Sequence, residues 1–265
     1  MPAEAGAAEA AVLRIHQLSC RFGGLRAVDN VDLSVARGER RAILGPNGAG
    51  KTTLFNLISG DVFPTAGRIE VFGQDATSTP ARKRIKLGIT RTYQTSRLFL
   101  PLTVLENVYL AILGVAGGHL RPLRLPQDRA YREQARALAE RVGLRDRIAV
   151  TVGSLSHGEQ RQLEIALALA GSPRIMMLDE PAAGLSPAER GALTELLLSL
   201  DPSVTLLVVE HDMDVALRVA QVVTVMHEGR IVAEGSTAEI RANPLVHDLY
   251  LGRGYSSRSA SDARS

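Results

Sequence analysis

The sequence has one cysteine, Cys20, no tryptophan and only 4% aromatic residues in 265 positions. A single thiol cannot build a disulfide framework, which fits a reducing compartment. So few rings exclude the interleaving of arginine with stacking aromatics on which single-strand nucleic-acid binders depend. Long hydrophobic runs are missing too. Spanning a bilayer takes roughly 20 apolar residues, and even Val204-Thr205-Leu206-Leu207-Val208-Val209 stops at Glu210. The chain is therefore expected to reach a membrane only through a partner. Charge of one sign is absent as well: 31 Lys and Arg against 28 Asp and Glu leave +3, with the arginines scattered, so no nucleic-acid partner is expected. Residues 1–11 have neither the basic segment nor the apolar stretch of a secretion signal, and with the Ser/Arg-rich residues 255–265 they read as disordered.

What the chain has is apolar content, 45% of its residues, enough for the core of one α/β domain with a smaller lobe. Its organising stretch is Gly45-Pro46-Asn47-Gly48-Ala49-Gly50-Lys51-Thr52-Thr53, a full match to G-x-x-x-x-G-K-[ST]. Ala42-Ile43-Leu44 ahead of it reads as a buried strand and Leu54-Phe55-Asn56-Leu57-Ile58 behind it as a helix, the context a phosphate loop requires. The glycines let successive backbone N–H groups converge on phosphate oxygens at a helix N-terminus, where peptide dipoles also favour negative charge. Lys51 is placed to neutralise β- and γ-phosphates. The Thr52 hydroxyl is placed to ligate Mg2+, a hard cation that usually takes only one or two ligands from protein.

Residues 12–18 and 31–35 alternate apolar with polar side chains, which predicts an antiparallel β flap beside the main sheet. Between these runs, Phe22 in Arg21-Phe22-Gly23-Gly24 is either a ring that stacks on adenine or a core residue at a turn. Thr65-Ala66-Gly67 signals a turn, residues 68–73 a strand, 80–86 a basic helical turn and 89–94 another strand. From about Phe99 to Leu155 the strand signal disappears, so a helical lobe at about 99–160 is expected inside the sheet domain. Leu155-Ser156-His157-Gly158-Glu159-Gln160 opens a long helix with Ser156 as N-cap, stopped by Gly171-Ser172-Pro173. The alternation of helix and strand that follows implies an α/β fold with a mostly parallel sheet, covered on both faces, within 12–254.

The strand Arg174-Ile175-Met176-Met177-Leu178-Asp179-Glu180-Pro181 ends in two carboxylates. Ligands of open parallel sheets gather at the C-terminal ends of the strands, so these side chains can meet the phosphate loop. Asp179 would hold Mg2+ directly or through water. Glu180 would orient and deprotonate an attacking water, since neighbours at a strand end face different sides. In identity, order and spacing, the phosphate loop, Gln94, Leu155-Ser156-His157-Gly158-Glu159, the Asp179-Glu180 strand and His211 resemble the ATP-binding-cassette (ABC) ATPases over residues 12–252. The resemblance implies a phosphate-loop NTPase core, ATP and Mg2+ as cofactors, and hydrolysis at Glu180. It also implies that Gln94 senses Mg2+ and links to the helical lobe, and that His211 contacts the γ-phosphate. By the same resemblance, Ser156, Gly158 and Glu159 face the γ-phosphate of ATP on a second ATPase subunit, so that two chains sandwich two nucleotides head to tail. A helix end offering a hydroxyl and N–H groups suits that task. Two residues depart from the family pattern. His157 stands where glycine is commonest and Ser186 where aspartate often follows the Asp-Glu strand, which bears on close approach to phosphate and on hydrogen bonding between subunits.

Arg91-Thr92-Tyr93-Gln94, Arg97-Leu98-Phe99, Leu102-Thr103-Val104-Leu105-Glu106-Asn107, Glu210-His211-Asp212-Met213, Asn243-Pro244 and Tyr250-Leu251-Gly252 look most like the ATPases of branched-chain amino acid importers and their urea and amide relatives. The lipopolysaccharide-export ATPase shares the Tyr-Leu-Gly ending and is the nearest alternative. Cassette ATPases acting on ribosomes usually carry two cassettes, and those acting on DNA carry long coiled coils, neither of which is here. The importer reading implies integral membrane permease subunits, an extracytoplasmic solute-binding protein, and a peripheral position at the cytoplasmic face of the cell membrane. It also implies a docking surface within residues 95–105, where Leu98, Phe99 and Leu102 lie beside Arg97, with roughly half of these apolar groups serving the lobe core instead.

Overall fold

The computed structural model describes residues 11–92, 98–116 and 128–251. Gln94 and the tail 255–265 lie outside the described residues. Apolar alternation near the start builds a hairpin of β1 (Ala11–Phe22) and β2 (Leu25–Ala36) across Gly23-Gly24. Both strands outrun the expected 12–18 and 31–35, and Ala11, expected in a disordered start, opens β1. Irregularities at Gln17 and Asn30, each at positive φ, reset the register so that Ile15, Leu18 and Cys20 all stay on the buried face although strict alternation is broken.

β3 (Arg40–Leu44) leads through the phosphate loop into α1 (Lys51–Ser59). β4 (Ala66–Val71) and β5 (Gln74–Asp75) extend the flap to the order β2-β1-β4-β5. Ala66 and Gly67 belong to β4 and not to a turn, because the Thr65 amide and hydroxyl already donate to the Ser19 carbonyl and start the pairing. α2 (Ala81–Arg84) and a 3-10 turn precede β6 (Ile89–Arg91). α3 (Val104–Val115), α4 (Asp128–Arg141) and α5 (His157–Leu169) form the helical insertion. Among its described residues, the only β pairing is an isolated bridge between Thr103 and Thr151. The remainder alternates: β7 (Ile175–Asp179), α6 (Pro187–Leu198), β8 (Thr205–Val209), α7 (Met213–Val219), β9 (Val222–His227), β10 (Arg230–Ser236), α8 (Thr237–Ala242) and α9 (Pro244–Leu251).

The second sheet has the order β10-β9-β3-β8-β7-β6, parallel from β9 to β6 with an antiparallel edge at β10. Its strands are apolar on both faces, as a covered parallel sheet demands. Ile175, Met177, Leu207 and Val209 face α1 and the flap, whereas Met176, Leu178, Leu206 and Val208 face α5 and α6. Leu54, Phe55, Leu57 and Ile58 of α1 are fully buried between the two sheets. At about 1.5–3 kcal/mol for each buried side chain, this packing and not intrinsic propensity fixes so short a helix, and with it the loop at its head.

Candidate active site

The loop residues reach their positions because two glycines tolerate contacts no side chain would. A Cβ on Gly45 (φ 153) would lie 2.3 Å from the Met226 carbonyl oxygen, and one on Gly50 (φ 100) 2.3 Å from that of Ala27. The loop is thus pressed between β2 and the β9 end at the head of α1. Lys51 folds back over it, its Nζ donating to the carbonyls of Gly45 at 2.6 Å and Pro46 at 3.0 Å. Burial pushes the Lys51 pKa down, and the negative charges of Glu180 and Asp179 counter that push. A cavity of about 640 Å3 opens here, walled by Leu25, Arg26, Ala27, residues 47–53, Glu180 and Glu228. It brings Asn47, Gly48, Ala49, Gly50, Lys51, Thr52 and Thr53 together with Glu180. Phe22 is half exposed at the hairpin tip and is not part of this wall.

At the end of β7, Asp179 is 1% exposed. Its Oδ2 accepts from Arg91 at 2.7 Å, while its buried Oδ1 has no hydrogen-bond partner among the described residues. Glu180 turns the other way through a left-handed conformation, φ 49, which for a non-glycine residue costs on the order of 1–3 kcal/mol and concentrates at functional sites. Its amide is held by the Val209 carbonyl at 2.9 Å, so the neighbouring strand sustains the strain. His211 approaches it, Nδ1 to Glu180 Oε2 being 3.8 Å, beyond hydrogen-bond range. Behind them lies Glu210, fully buried, with Oε1 accepting from the Ala182 amide at 2.8 Å and burial pushing its pKa up.

The head of α5 is finished differently. Ser156 and Glu159 form a capping box, and the Glu159 carboxylate also takes Arg147 Nε at 2.8 Å. The Gly158 amide (3.0 Å) and Ser156 Oγ (3.3 Å) both donate to Oε1 of Glu189, whose Oε2 accepts from the Ser186 amide and hydroxyl. These bonds, those from Ser186 foremost, hold the Glu189 pKa at about 2. Ser186 caps α6 with a short side-chain oxygen, the role an aspartate could also fill there. None of Ser156, Gly158 and Glu159 lines the cavity at α1. Arg91 and Glu210 entered the sequence reading only within stretches of resemblance, with no part in the site, and Glu189 was not singled out, since each acts through a partner remote in the chain.

A larger cleft of about 870 Å3, including Arg14, Arg37, Phe72, Arg141 and Arg174, sits at the opposite, N-terminal ends of the parallel strands. Ligands of such sheets bind at the other end, where the glycine loop and the carboxylates converge. Among the described residues no three His, Cys, Asp or Glu side chains cluster so as to hold a metal ion.

The ABC transporter family model matches residues 28–183. BraF of Pseudomonas aeruginosa, a high-affinity branched-chain amino acid transport ATP-binding protein, is 39% identical over 249 residues, which cover 91% of this chain and 98% of BraF. MJ1267, an ATP-binding cassette of an ABC transporter in its ADP conformation, superposes with a TM-score of 0.80 at 31% identity, over 91% of this chain and 99% of that one. The cassette MJ0796, a dimer in a post-hydrolysis state bound to ADP and Pi, gives a TM-score of 0.72 at 26% identity, over 85% and 98%. Agreement of this extent in sequence and in fold, around a phosphate loop with its carboxylate pair, makes the chain a member of the ABC transporter family and a nucleotide-binding ATPase.

Proposed function

We propose that this chain is the ATP-hydrolysing subunit of an importer of branched-chain amino acids or a related small solute such as urea or amides. The observation that carries this reading is the end-to-end likeness to BraF. The working unit is residues 12–254, with the lobe at about 99–160. Residues 45–53 grip the triphosphate, Phe22 stacks on adenine, Glu180 deprotonates the attacking water and His211 steadies the γ-phosphate. Mg2+ fits the donors present: the buried, unpartnered Oδ1 of Asp179 calls for a cation, and Thr52 supplies a hydroxyl on the cavity wall. Gln94, the remaining expected ligand, lies outside the described residues. When bound, Mg2+ draws charge off the phosphates. A second ATPase subunit presents Ser156, Gly158 and Glu159 to that nucleotide.

No described helix is long and apolar enough to cross a membrane, so the conformational change must pass to permease subunits, which hold the chain at the cytoplasmic face and meet the solute-binding protein outside. The hand-off point is Phe99. Leu98 packs partly buried against the core, while Phe99 is 56% exposed. The Phe99 backbone is pinned on both sides by buried Asn107, through the amide at 2.9 Å and the carbonyl at 3.0 Å. A rigid backbone that presents an exposed ring suits a docking helix. Phe99→Asp should spare ATP hydrolysis by the isolated protein yet abolish leucine uptake and membrane recruitment. Uptake that persists in that variant refutes the docking surface, and uptake that survives deletion of the chain refutes the transport role.

A further inference from the structure

We infer that Arg91 is the positioning residue that fixes the orientation of the Asp179 carboxylate, so that one of its oxygens stays turned toward the nucleotide, an inference that rests on reading Asp179 as the Mg2+ side chain. Arg91 is the last residue of β6, its side chain only 5% exposed. Its guanidinium bridges two parts of the site. One end donates through NH2 to Asp179 Oδ2 at 2.7 Å. The other donates through NH1 to Asn56 Oδ1 at 2.6 Å, Ser59 Oγ at 3.1 Å and Asp61 Oδ2 at 3.3 Å, all on or just past the C-terminal half of α1. The Phe55 ring, with its centroid 5.7 Å from the guanidinium carbon, adds a contact from the same helix.

The consequence follows from carboxylate geometry. The terminal torsion of an aspartate is soft, so the plane of an unrestrained Asp179 carboxylate would swing and neither oxygen would hold one direction. Arg91 takes Oδ2 and leaves Oδ1 as the oxygen free for a cation. It also ties β7 to the helix whose head carries Lys51 and Thr52, so that the metal-side oxygen and the phosphate loop keep one spacing. Only a planar fork can serve carboxylates on opposite sides at once; an ammonium has the charge but not the span. Arg91 stands three positions before Gln94 in the chain, so the strand that enters the Gln94 segment is anchored through the same contact.

The test separates positioning from mere support. Fluorescent ATP binding is measured with excess Mg2+ and with EDTA for wild type, Arg91→Lys, Arg91→Met and Asp179→Asn, alongside thermal unfolding. The quantity read is the tightening that Mg2+ brings. Arg91→Lys and Arg91→Met should lose it by roughly tenfold while binding in EDTA stays at the wild-type level, in line with the 10–100-fold effects of residues that orient metal ligands. Arg91→Lys keeps charge and stem, so it reports even where Arg91→Met unfolds. A wild-type Mg2+ effect in Arg91→Lys, with or without a lowered melting temperature, overturns the inference. Should Asp179→Asn also keep the full Mg2+ effect, the metal assignment itself falls.

Discussion

Two helices of this chain begin where a phosphate is expected, and their ends are finished in opposite ways. α1 starts at Gly50 with no side-chain cap and no acidic residue in its first turn. Its far end carries Arg84, buried, donating to the Leu57 and Ile58 carbonyls; burial lowers its pKa to about 10, so it remains a cation at neutral pH. Arg84 thus offsets the negative end of the helix, while the head, without cap or acidic residue, leaves its first amides for an anion. α5 begins with the amides of Gly158 and Glu159 already taken, by Glu189 and by Ser156 Oγ. The same element is left open in one place and is already occupied in the other. Nucleotide should bind α1 of a single subunit outright, whereas in the proposed sandwich a second subunit's phosphate would compete with Glu189 for α5.

The largest effects should fall on the α1 end. Lys51→Ala removes the cation proposed to pair with the phosphates and should weaken nucleotide binding itself, read by titration with fluorescent ATP. Glu180→Gln should bind ATP as wild type yet release phosphate on the order of 100-fold more slowly or worse, as expected for loss of a positioned base. Normal turnover in Glu180→Gln would break the assignment. The pair also sharpens the contrast, because a protein that binds without hydrolysing exposes what happens at α5.

How much of this was legible in the sequence follows from how local each feature is. The phosphate loop, its flanking strand and helix, and the Asp179-Glu180 strand end are written in consecutive residues, and the structure gathers residues 47–53 and Glu180 around one cavity. The Ser156 N-cap is set by its immediate neighbours and was equally plain, whereas the answering bond from Glu159 that completes a capping box was not read. By contrast, Arg91 meets Asp179 across 88 positions and Gly158 meets Glu189 across 31, contacts set by how β6 lies on β7 and how α5 meets α6. The flap strands read too short because the irregularities near Gln17 and Asn30 break the period of two.

A mid-sized effect is expected at the occupied helix end. In the Glu180→Gln background, Glu189→Gln keeps a capping-box side chain for α6 but removes the negative charge from the amide of Gly158. Charge at a helix terminus is worth about 0.3–1 kcal/mol, so ATP should drive dimerisation at concentrations roughly two- to fivefold lower, measured on sizing columns, with ADP giving monomer in both proteins. A dimer that weakens instead would make Glu189 a support of the α5 end and not its competitor. Monomer with ATP in both proteins would count against the head-to-tail sandwich.

The smallest effect concerns the segment that joins the two helix ends. From Glu180 the chain passes Ala182 on its way to Ser186 and Glu189, and the Ala182 amide is held by Glu210. Burial raises the Glu210 pKa, with the charge of His211 and the amides of Ala182, His211 and Asp212 opposing it. The sign follows from linkage. Below the ordinary glutamate range the carboxyl is neutral in both folded and unfolded chains and carries no penalty. As pH rises through the raised folded value, the unfolded chain ionises more readily, and that stability is lost. Glu210→Gln has no such ionisation, so the melting temperature of wild type minus that of the variant should fall as pH rises from about 4.5. A difference of 1 kcal/mol reads as roughly 2–4 °C in a chain of this size. If the difference is flat with pH, Glu210 titrates alike in the folded and unfolded chains, burial does not penalise its charge, and the segment between the two helix ends is held by an ordinary carboxylate.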